Sequence, residues 1–397
     1  MPKYLGSKYS VSWMDRIASV DQAAWDMLAA PLKTPFLEWD WLHLMEASGS
    51  ITPGTGWEPQ HLTVWSGRRL VAAAPLYLKH HSAGEFVYDN AWADLATRLG
   101  IGYYPKLVGM SPVTPVAGYR FLIDPQADGQ RLTDLMVREI DRFCRLNQIS
   151  GCSFLFVDPA WRLRMAAYDF SGWLHQSYAW QNRDFRSFED YLAIFNANQR
   201  HNIRRERRKV QDSGIRIEPI SGDDIPRSFL PLMYRFYVRT NDRYGPWSCK
   251  YLSKTFFDAL YDRYRHRLVL MTAYDQQNQG LPVAMSLLLI KGELLFGRYW
   301  GSFNTIDALH FDACYYRPIE WAISRGIQYF DPGVGSYHKL RRGFEAVPSF
   351  SLHKFYDPRL QLVLQTHINA INRLEHHQID AMNAQLPFAK TTLKNYP

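Results

Sequence analysis

Apolar and polar positions follow two periods along the first half of the chain, and each period predicts a type of element. Spacing of three to four residues, as in Phe36, Trp39 and Leu42, predicts a helix, whereas short apolar runs between turn residues predict strands. Clustered glycine and proline predict loops. In chain order we expect a helix, a β-hairpin, a long loop, an amphipathic helix and a buried strand: residues 36–47, 61–78, 100–125, 129–146 and 153–158.

The second half opens with a helix-start signal near Phe185. Ser187 and Asp190 match a capping box, and the basic helix that follows is expected to stop at Ser213-Gly214. Three further helices, four strands and a C-terminal helix are predicted by the remaining pattern: helices 226–240, 251–265 and 308–325, strands 268–274, 281–290, 294–301 and 327–331, and a helix containing Leu360, Leu364, Ile368 and Ile371.

A strand–turn–strand pattern occurs once in each half, each time after two predicted helices. The two copies are HLTVW-SGRR-LVAAAPLYLK (61–79) and VLMTAY-DQQNQG-LPVAMSLLLIK (269–291). Such repetition indicates a duplicated domain. We therefore predict an α/β protein with a first domain at 1–182, a second at 183–358 and a C-terminal helical extension at 359–397.

Composition narrows the class of protein. The 397 residues are 47% hydrophobic, which is enough for sizeable cores. The N-terminus has no apolar segment typical of a signal peptide, and apolar runs such as 283–290 are too short for an integral membrane segment. The cysteines show neither a CxxC pair nor metal-ligand spacing, so we expect reduced core residues, a cytoplasmic location and no metal site: Cys144, Cys152, Cys249 and Cys314.

Two short segments account for the net charge of +8. Residues 200–209 contain six Lys or Arg and one Glu, and residues 338–342 contain three Lys or Arg. On a helix, three arginines of the first segment share one face, where they would contact phosphates of tRNA, a nucleotide-linked sugar or CoA: Arg200, Arg204 and Arg208. The alternative is a solvated surface face.

The second basic segment belongs to DPGVGSYHKLRRGF (331–344), which directly follows a predicted strand. Gly333 and Gly335 allow a tight turn at the strand end, where α/β proteins bind ligands. Asp331 or His338 is expected near a proton transfer. The other basic groups are expected to bind an anion, the alternative being a basic surface turn: Lys339, Arg341 and Arg342.

Three further places hold candidate substrate-binding residues. Arg298 lies within a predicted strand and needs a carboxylate partner, for which Asp312 or Asp331 would serve. His310, at a helix start, fits a structural role as well as a site role. Polar residues after the first hairpin predict either a site or an exposed turn: Lys79, His81 and Glu85.

The sequence lacks the motifs that are typical of several enzyme classes. There is no GxSxG or SxxK nucleophile motif, no P-loop and no GxGxxG. Hydrolase, kinase and dehydrogenase functions are therefore disfavoured.

The motifs together resemble the Fem-like family of peptidoglycan biosynthesis or recognition proteins, a branch of the GNAT (acyl-CoA N-acyltransferase) fold. The resemblance covers 55–357 and includes LVAAAPLYLKHHSAGEFVYD, RHNIRRERR, GRYWG, LHFDACYY and HKLRRGF. It implies two tandem GNAT-like domains with mixed central sheets. Where many relatives carry GAQGEHK, this chain has GVGSYHK (333–339), and it has no R-x-x-G-x-G/A loop after GRYWG.

The resemblance implies transfer of an acyl or aminoacyl group to an amine of a peptidoglycan precursor or related metabolite. Acyl-CoA and aminoacyl-tRNA are alternative donor substrates, and no bound cofactor is expected. The partner is expected to be a phosphate-bearing small molecule or cell-wall precursor, with tRNA as a further candidate. The alternative function is a non-catalytic binding module that recognises a cell-wall precursor or RNA.

Overall fold

The computed structural model describes residues 9–275 and 280–389. The turn residues 276–279 of the second repeat and the end of the C-terminal extension, 390–397, lie outside the described residues. The chain divides into two compact units, Met1–His175 with Ser349–His376 and Gln176–Pro348 with His377–Pro397. The domain boundaries proposed from sequence, at 182/183 and 358/359, stay predictions about where independently folding segments begin and end.

The first unit is built on two sheets. A four-stranded antiparallel sheet has the order β1-β3-β4-β7, and a mixed sheet has the order β15-β8-β6-β5-β2, in which β6 and β8 are parallel. Its elements in chain order are β1 Ser10–Met14, α1 Gln22–Ala29, α2 Trp39–Ala47, β2 Glu58–Pro59, β3 His61–Ser66, β4 Arg69–Ala74, β5 Leu76–Lys79, α3 Asn90–Arg98, β6 Lys106–Gly109, β7 Leu122–Ile123, α4 Gly129–Leu146, β8 Gly151–Phe154 and α5 Pro159–Met165.

The second unit has one mixed sheet of order β10-β11-β12-β13-β14-β9, in which only β13 and β14 are parallel. Strands β9 and β15 and helix α12 each contribute residues to both units. The remaining elements are β9 Ser171–Gln181, α6 Phe188–Ala193, α7 Ala197–Asp212, β10 Ile215–Ser221, α8 Phe229–Asp242, α9 Lys254–Tyr264, β11 Leu268–Asp275, β12 Ala284–Lys291, β13 Leu294–Ser302, α10 Leu309–Phe311, α11 Arg317–Ser324, β14 Tyr329–Asp331, β15 Glu345–Phe355 and α12 Pro358–Asn383.

Local chemistry explains several element ends. The Ser187 side chain accepts from the backbone of Asp190 and the Asp190 side chain accepts from that of Ser187, which confirms the capping box. Asn196 then caps a separate helix, α7, so the predicted continuous helix is two helices. Gly214, at φ 72°, follows the end of α7 in the left-handed conformation that glycine adopts without strain.

Other sequence expectations were also wrong in detail. The predicted strand at 70–78 is two strands in different sheets, because Pro75 lacks the N–H that a continuous ladder needs. The loop predicted at 100–125 contains β6, whose four residues pair with β5 and β8. The strand predicted at 153–158 ends at Phe154, two residues before Phe156, which has φ 52°. Cys249 is exposed rather than part of a core.

Buried apolar side chains fill the space beside each sheet. In the first unit the rings of Phe121, Phe154 and Trp161 pack edge to face at 5.0–5.5 Å between centroids, and each such pair adds about 0.5–1.5 kcal/mol beyond area burial. In the second unit Phe236 and Tyr237 of α8 pack toward β13 through Phe303 and Tyr299. None of the helices among the described residues is both long and apolar enough to cross a membrane.

Candidate functional site

Strand β14 of the second unit is much shorter than its neighbour β13. They pair in parallel only where Leu294–Phe296 faces Tyr329–Asp331, yet β13 continues to Ser302. A register shift against β12 leaves Arg298 as an extra residue in β13. Such a bulge bends a strand and is common beside active sites. Beyond Phe296 the β14 side of β13 therefore has no strand partner among the described residues, and we call this part of β13, residues 297–302, the open edge.

The loop after β14 closes tightly on β13. Gly333, Gly335 and Ser336 all have positive φ, at 81°, 84° and 68°. A Cβ atom on Gly333 would lie 3.3 Å from the carbonyl oxygen of Gly297, so the absence of a side chain permits this close approach. The chain then forms the 3₁₀ turn Tyr337–Arg342. The predicted tight glycine turn at the end of this strand is confirmed.

Asp331 and Lys339 lie at the base of the loop, both buried. The Asp331 carboxylate accepts a hydrogen bond from the backbone N–H of Gly333 at 2.8 Å, and burial raises its pKa although Lys339 and Arg298 oppose the shift. Lys339 Nζ donates to the carbonyl oxygens of Gly333 at 2.6 Å and Val334 at 3.0 Å. Burial lowers the pKa of Lys339 to about 8, against the attraction of Asp331. Of the two carboxylates expected as partners of Arg298, Asp331 is the one that attracts it electrostatically.

His338 and His310 form an aromatic group beside this loop. The Nε2 atom of His338 is 3.0 Å from the hydroxyl of Tyr315, and the two histidine rings are 5.9 Å apart. Burial lowers the pKa of each imidazole to about 4, helped by the positive charges of Arg342 and Lys339. Both histidines are therefore neutral at pH 7. His338 is half-buried and can still meet a ligand.

Arg342 has its guanidinium bound within the protein. It donates to both carboxylate oxygens of Glu206 at 2.9 Å and to the carbonyl of His338 at 2.9 Å, and it stacks 3.3 Å from the centroid of Phe311. Glu206 also accepts from the Tyr316 hydroxyl at 2.5 Å. This bidentate pair attaches α7 to the loop that carries His338. The structure brings Arg342 into the group, and an additional role in anion binding stays a prediction.

The spacing of Arg200, Arg204 and Arg208 predicted that they share one face of α7. The face of α7 that packs inward is a different one. Its inner side carries Gln199, Ile203 and Val210, together with the partly buried Glu206. Arg200 is partly buried and donates to the carbonyl of Phe195, and exposed Arg204 pairs with Glu189. Arg208 and Arg341 are exposed and have no acidic partner among residues 9–275 and 280–389. Their predicted phosphate contacts stay predictions.

Two of the three first-unit candidates, Lys79 and Glu85, are buried, and the third, His81, is exposed. Lys79 Nζ donates to the carbonyl of Ala83 at 3.1 Å and lies 3.6 Å above the Trp57 ring, and burial lowers its pKa to about 7. Glu85 accepts from Lys106 at 2.8 Å. His81 is exposed, and its ring covers Gly56 so closely that a Cβ there would be 2.0 Å from Nε2.

The fold adds several groups to these sites, and one of them, Asp312, entered the sequence analysis only as a candidate partner for Arg298. Asp312 lies in a π-helical turn, Asp312–Tyr316, where a continuous helix at 308–325 was expected, and such turns are frequent at functional sites. Its carboxylate is buried, lies 3.5 Å from Arg207, and has a pKa raised by burial to about 6. Sequence reasoning assigned no site role to Tyr315, Glu206, Lys106 and Asp89, although Glu206 is conspicuous as the single acid within the basic helix.

Comparison with known proteins places these features in a family. The sequence profile of a FemAB-like family, described as peptidoglycan biosynthesis/recognition, matches residues 16–390. Among proteins of curated function, none matches the sequence.

Solved structures share the fold at low identity. The crystal structure of FemX is 12% identical, with 88% of this chain and 98% of that chain covered at a TM-score of 0.52. A conserved protein of unknown function from Bacteroides thetaiotaomicron is 12% identical, with 86% and 98% covered at 0.50. A tandem GNAT protein of the clavulanic acid pathway is 10% identical, with 88% and 99% covered at 0.43. The predicted α/β fold class, with mixed central sheets and a C-terminal helix, is confirmed, and FemX shares this fold.

Proposed function

The chain belongs to the FemAB-like family of peptidoglycan biosynthesis and recognition proteins, and from that premise we propose that it transfers an acyl or aminoacyl group to an amine of a cell-wall precursor. The observation that supports this most is the open edge of β13, with His338 and Lys339 on the loop beside it. Direct transfer to an amine needs the amine held close to an activated carbonyl and relieved of a proton. Both requirements have candidate groups at this edge.

His338 is the proposed proton acceptor. Its imidazole is neutral at pH 7, and the tautomer in which Nε2–H donates to the Tyr315 oxygen leaves a lone pair on Nδ1. As the nitrogen of the attacking amine bonds to the carbonyl carbon, it becomes an acidic ammonium, and its proton passes to Nδ1. The bond from the carbonyl carbon to the leaving atom of the donor, the sulfur of CoA or the ribose oxygen of tRNA, then breaks, and the leaving thiolate or alkoxide takes the proton from Nδ1. Asp331, which bonds to Gly333 and is buried, is assigned a positioning role for the loop instead.

The carbonyl oxygen becomes negatively charged as the new bond forms. The extra residue Arg298 makes an irregularity in β13, and a backbone N–H at such an irregularity is the proposed partner of the oxyanion. Exposed Arg341 and Arg208 are the proposed contacts for donor or acceptor phosphates. Acyl-CoA and aminoacyl-tRNA are the two proposed donors, and neither requires a bound cofactor.

A transfer assay with purified full-length protein tests the proposal. Acetyl-CoA and alanyl-tRNA are offered separately with a nucleotide-linked muropeptide, and release of free CoA or deacylated tRNA is followed. His338→Gln is expected to lower kcat about 100-fold or more with the preferred donor. The matched control is His367→Gln, an exposed histidine of α12.

Two results would contradict the proposal. Equal activity of the His338→Gln and wild-type proteins removes His338 from the chemistry. Tight binding of the muropeptide without turnover of either donor supports the recognition module instead.

A further inference from the structure

Helix α8 carries a row of arginines outside the candidate active site. Arg235, Arg239 and Arg243 are all exposed and spaced four residues apart, so they share one face and line a shallow groove with Phe303. None of the three has a carboxylate partner among the described residues. The one acid of the groove, Asp242, is paired with Lys250 at 2.7 Å. Three like charges in a row are therefore left for an external anion.

Two large aromatic side chains follow directly on this row. Tyr244 is 60% exposed and Trp247, in the short turn Gly245–Trp247, is 85% exposed. Exposed aromatic surface next to a charged patch marks an interaction site. Tyrosine and tryptophan, which combine an apolar ring with a polar edge, are the side chains that concentrate at membrane–water interfaces.

We propose that this arginine row and aromatic turn bind the surface of a bilayer that contains anionic phospholipids. The guanidinium groups match headgroup phosphates in charge, and the two aromatic rings enter the headgroup layer beside them. The proposal concerns peripheral binding and does not depend on the proposed acyl transfer.

Single-stranded RNA is the competing partner with similar chemistry, and the groove fits it less well. Recognition of a single strand needs free aromatic faces on which bases stack. The Arg235 guanidinium already lies 5.0 Å above the Phe303 ring, and Tyr234 packs against Phe257 at 5.6 Å. The aromatic rings of the groove are thus used in packing, and the exposed rings lie beyond the helix end.

Vesicle co-sedimentation of the full chain tests the proposal. Vesicles of phosphatidylglycerol with phosphatidylcholine are compared with pure phosphatidylcholine at low and high salt. Wild-type protein is expected to bind only the anionic vesicles and to be released by salt. The triple variant R235Q/R239Q/R243Q is expected to bind on the order of 100-fold more weakly, since each arginine near an anionic surface is worth about 5-fold. Trp247→Ala is expected to bind the anionic vesicles roughly 10-fold more weakly than the wild type.

Matched controls come from the first unit. R138Q/R142Q/R145Q removes the same charge from exposed positions of α4, and Tyr88→Ala removes an aromatic side chain that is 82% exposed. Both are expected to bind vesicles like the wild type. The proposal is overturned if wild-type protein ignores anionic vesicles, if the α8 and α4 triple variants lose affinity equally, or if a single-stranded RNA oligonucleotide binds the row in preference to vesicles.

Discussion

Two of the buried lysines, Lys106 of the first unit and Lys339 of the second, meet different surroundings. In the first unit Lys106 lies between the carboxylates of Glu85 and Asp89, and these charges raise its pKa despite burial. In the second unit Lys339 donates to two backbone carbonyls, and its pKa falls to about 8. The same side chain is held charged in one place and is closer to losing its proton in the other.

The difference separates structural from chemical use of a buried charge. Lys106 compensates two acids that would otherwise be buried without a cation, so its main effect is on stability. Lys339 has two backbone carbonyls as hydrogen-bond acceptors instead of two carboxylates, so its positive charge is less fully neutralised. It lies beside the half-buried His338 in the turn that follows β14. Perturbed groups of that kind concentrate at functional sites.

Replacing each lysine by methionine tests this contrast most directly. Lys106→Met leaves two buried carboxylates without their cation and is expected to cost about 3–5 kcal/mol of unfolding free energy. Lys339→Met removes two hydrogen bonds to carbonyls and is expected to cost about 1–2 kcal/mol. Urea denaturation measures both, with the exposed Lys33→Met as control. Equal losses for the two buried lysines would remove the contrast.

A buried histidine of the first unit makes the stability of the protein depend on pH. His353 of the first unit is buried between the hydroxyls of Ser153 and Ser351, and burial lowers its pKa to about 3. The unfolded chain takes up this proton near pH 6.5, so the folded state binds fewer protons below that pH. The stability contribution is complete above pH 6.5 and is lost as the pH falls, by about 3 kcal/mol between pH 7 and 4.

The measurement is the unfolding free energy as a function of pH. His353→Gln is expected to flatten the profile between pH 6.5 and 4, whereas His367→Gln, at an exposed position, leaves its slope unchanged. An unchanged slope in the His353 variant would show that its imidazole is protonated in the folded state as readily as in the unfolded chain.

Two adjacent arginines, one paired and one exposed, provide a third test of the contrast between enclosed and exposed charges. Arg342→Ala breaks the bidentate pair with Glu206 and is expected to cost about 1.5–3 kcal/mol. Arg341→Ala, at an exposed position, is expected to change stability by no more than about 0.5 kcal/mol. Thermal unfolding of the two variants distinguishes these roles. If Arg341→Ala is the more damaging substitution, the assignment of Arg342 as the structural member is wrong.

Much of the fold followed from local pattern. The amphipathic helix at 129–146 and the Ser187 capping box occur as expected, because side-chain periodicity and capping act within a few residues. The glycine turn after Asp331 was predictable for the same reason. The π-helical turn at Asp312–Tyr316 was not, since nothing in the helical spacing of that segment distinguishes it from a regular helix.

The sequence by itself determined the order and type of most elements, the two basic segments and the turn that carries His338. Only the tertiary structure decided which charges lost contact with water. Glu206 lies on the inner side of α7 because Ile203 and Val210 fix that face against the unit, and this orientation brings Glu206 to Arg342 across 136 positions of sequence. A pKa depends on burial and on charges brought close from distant segments, and neither is a property of local spacing.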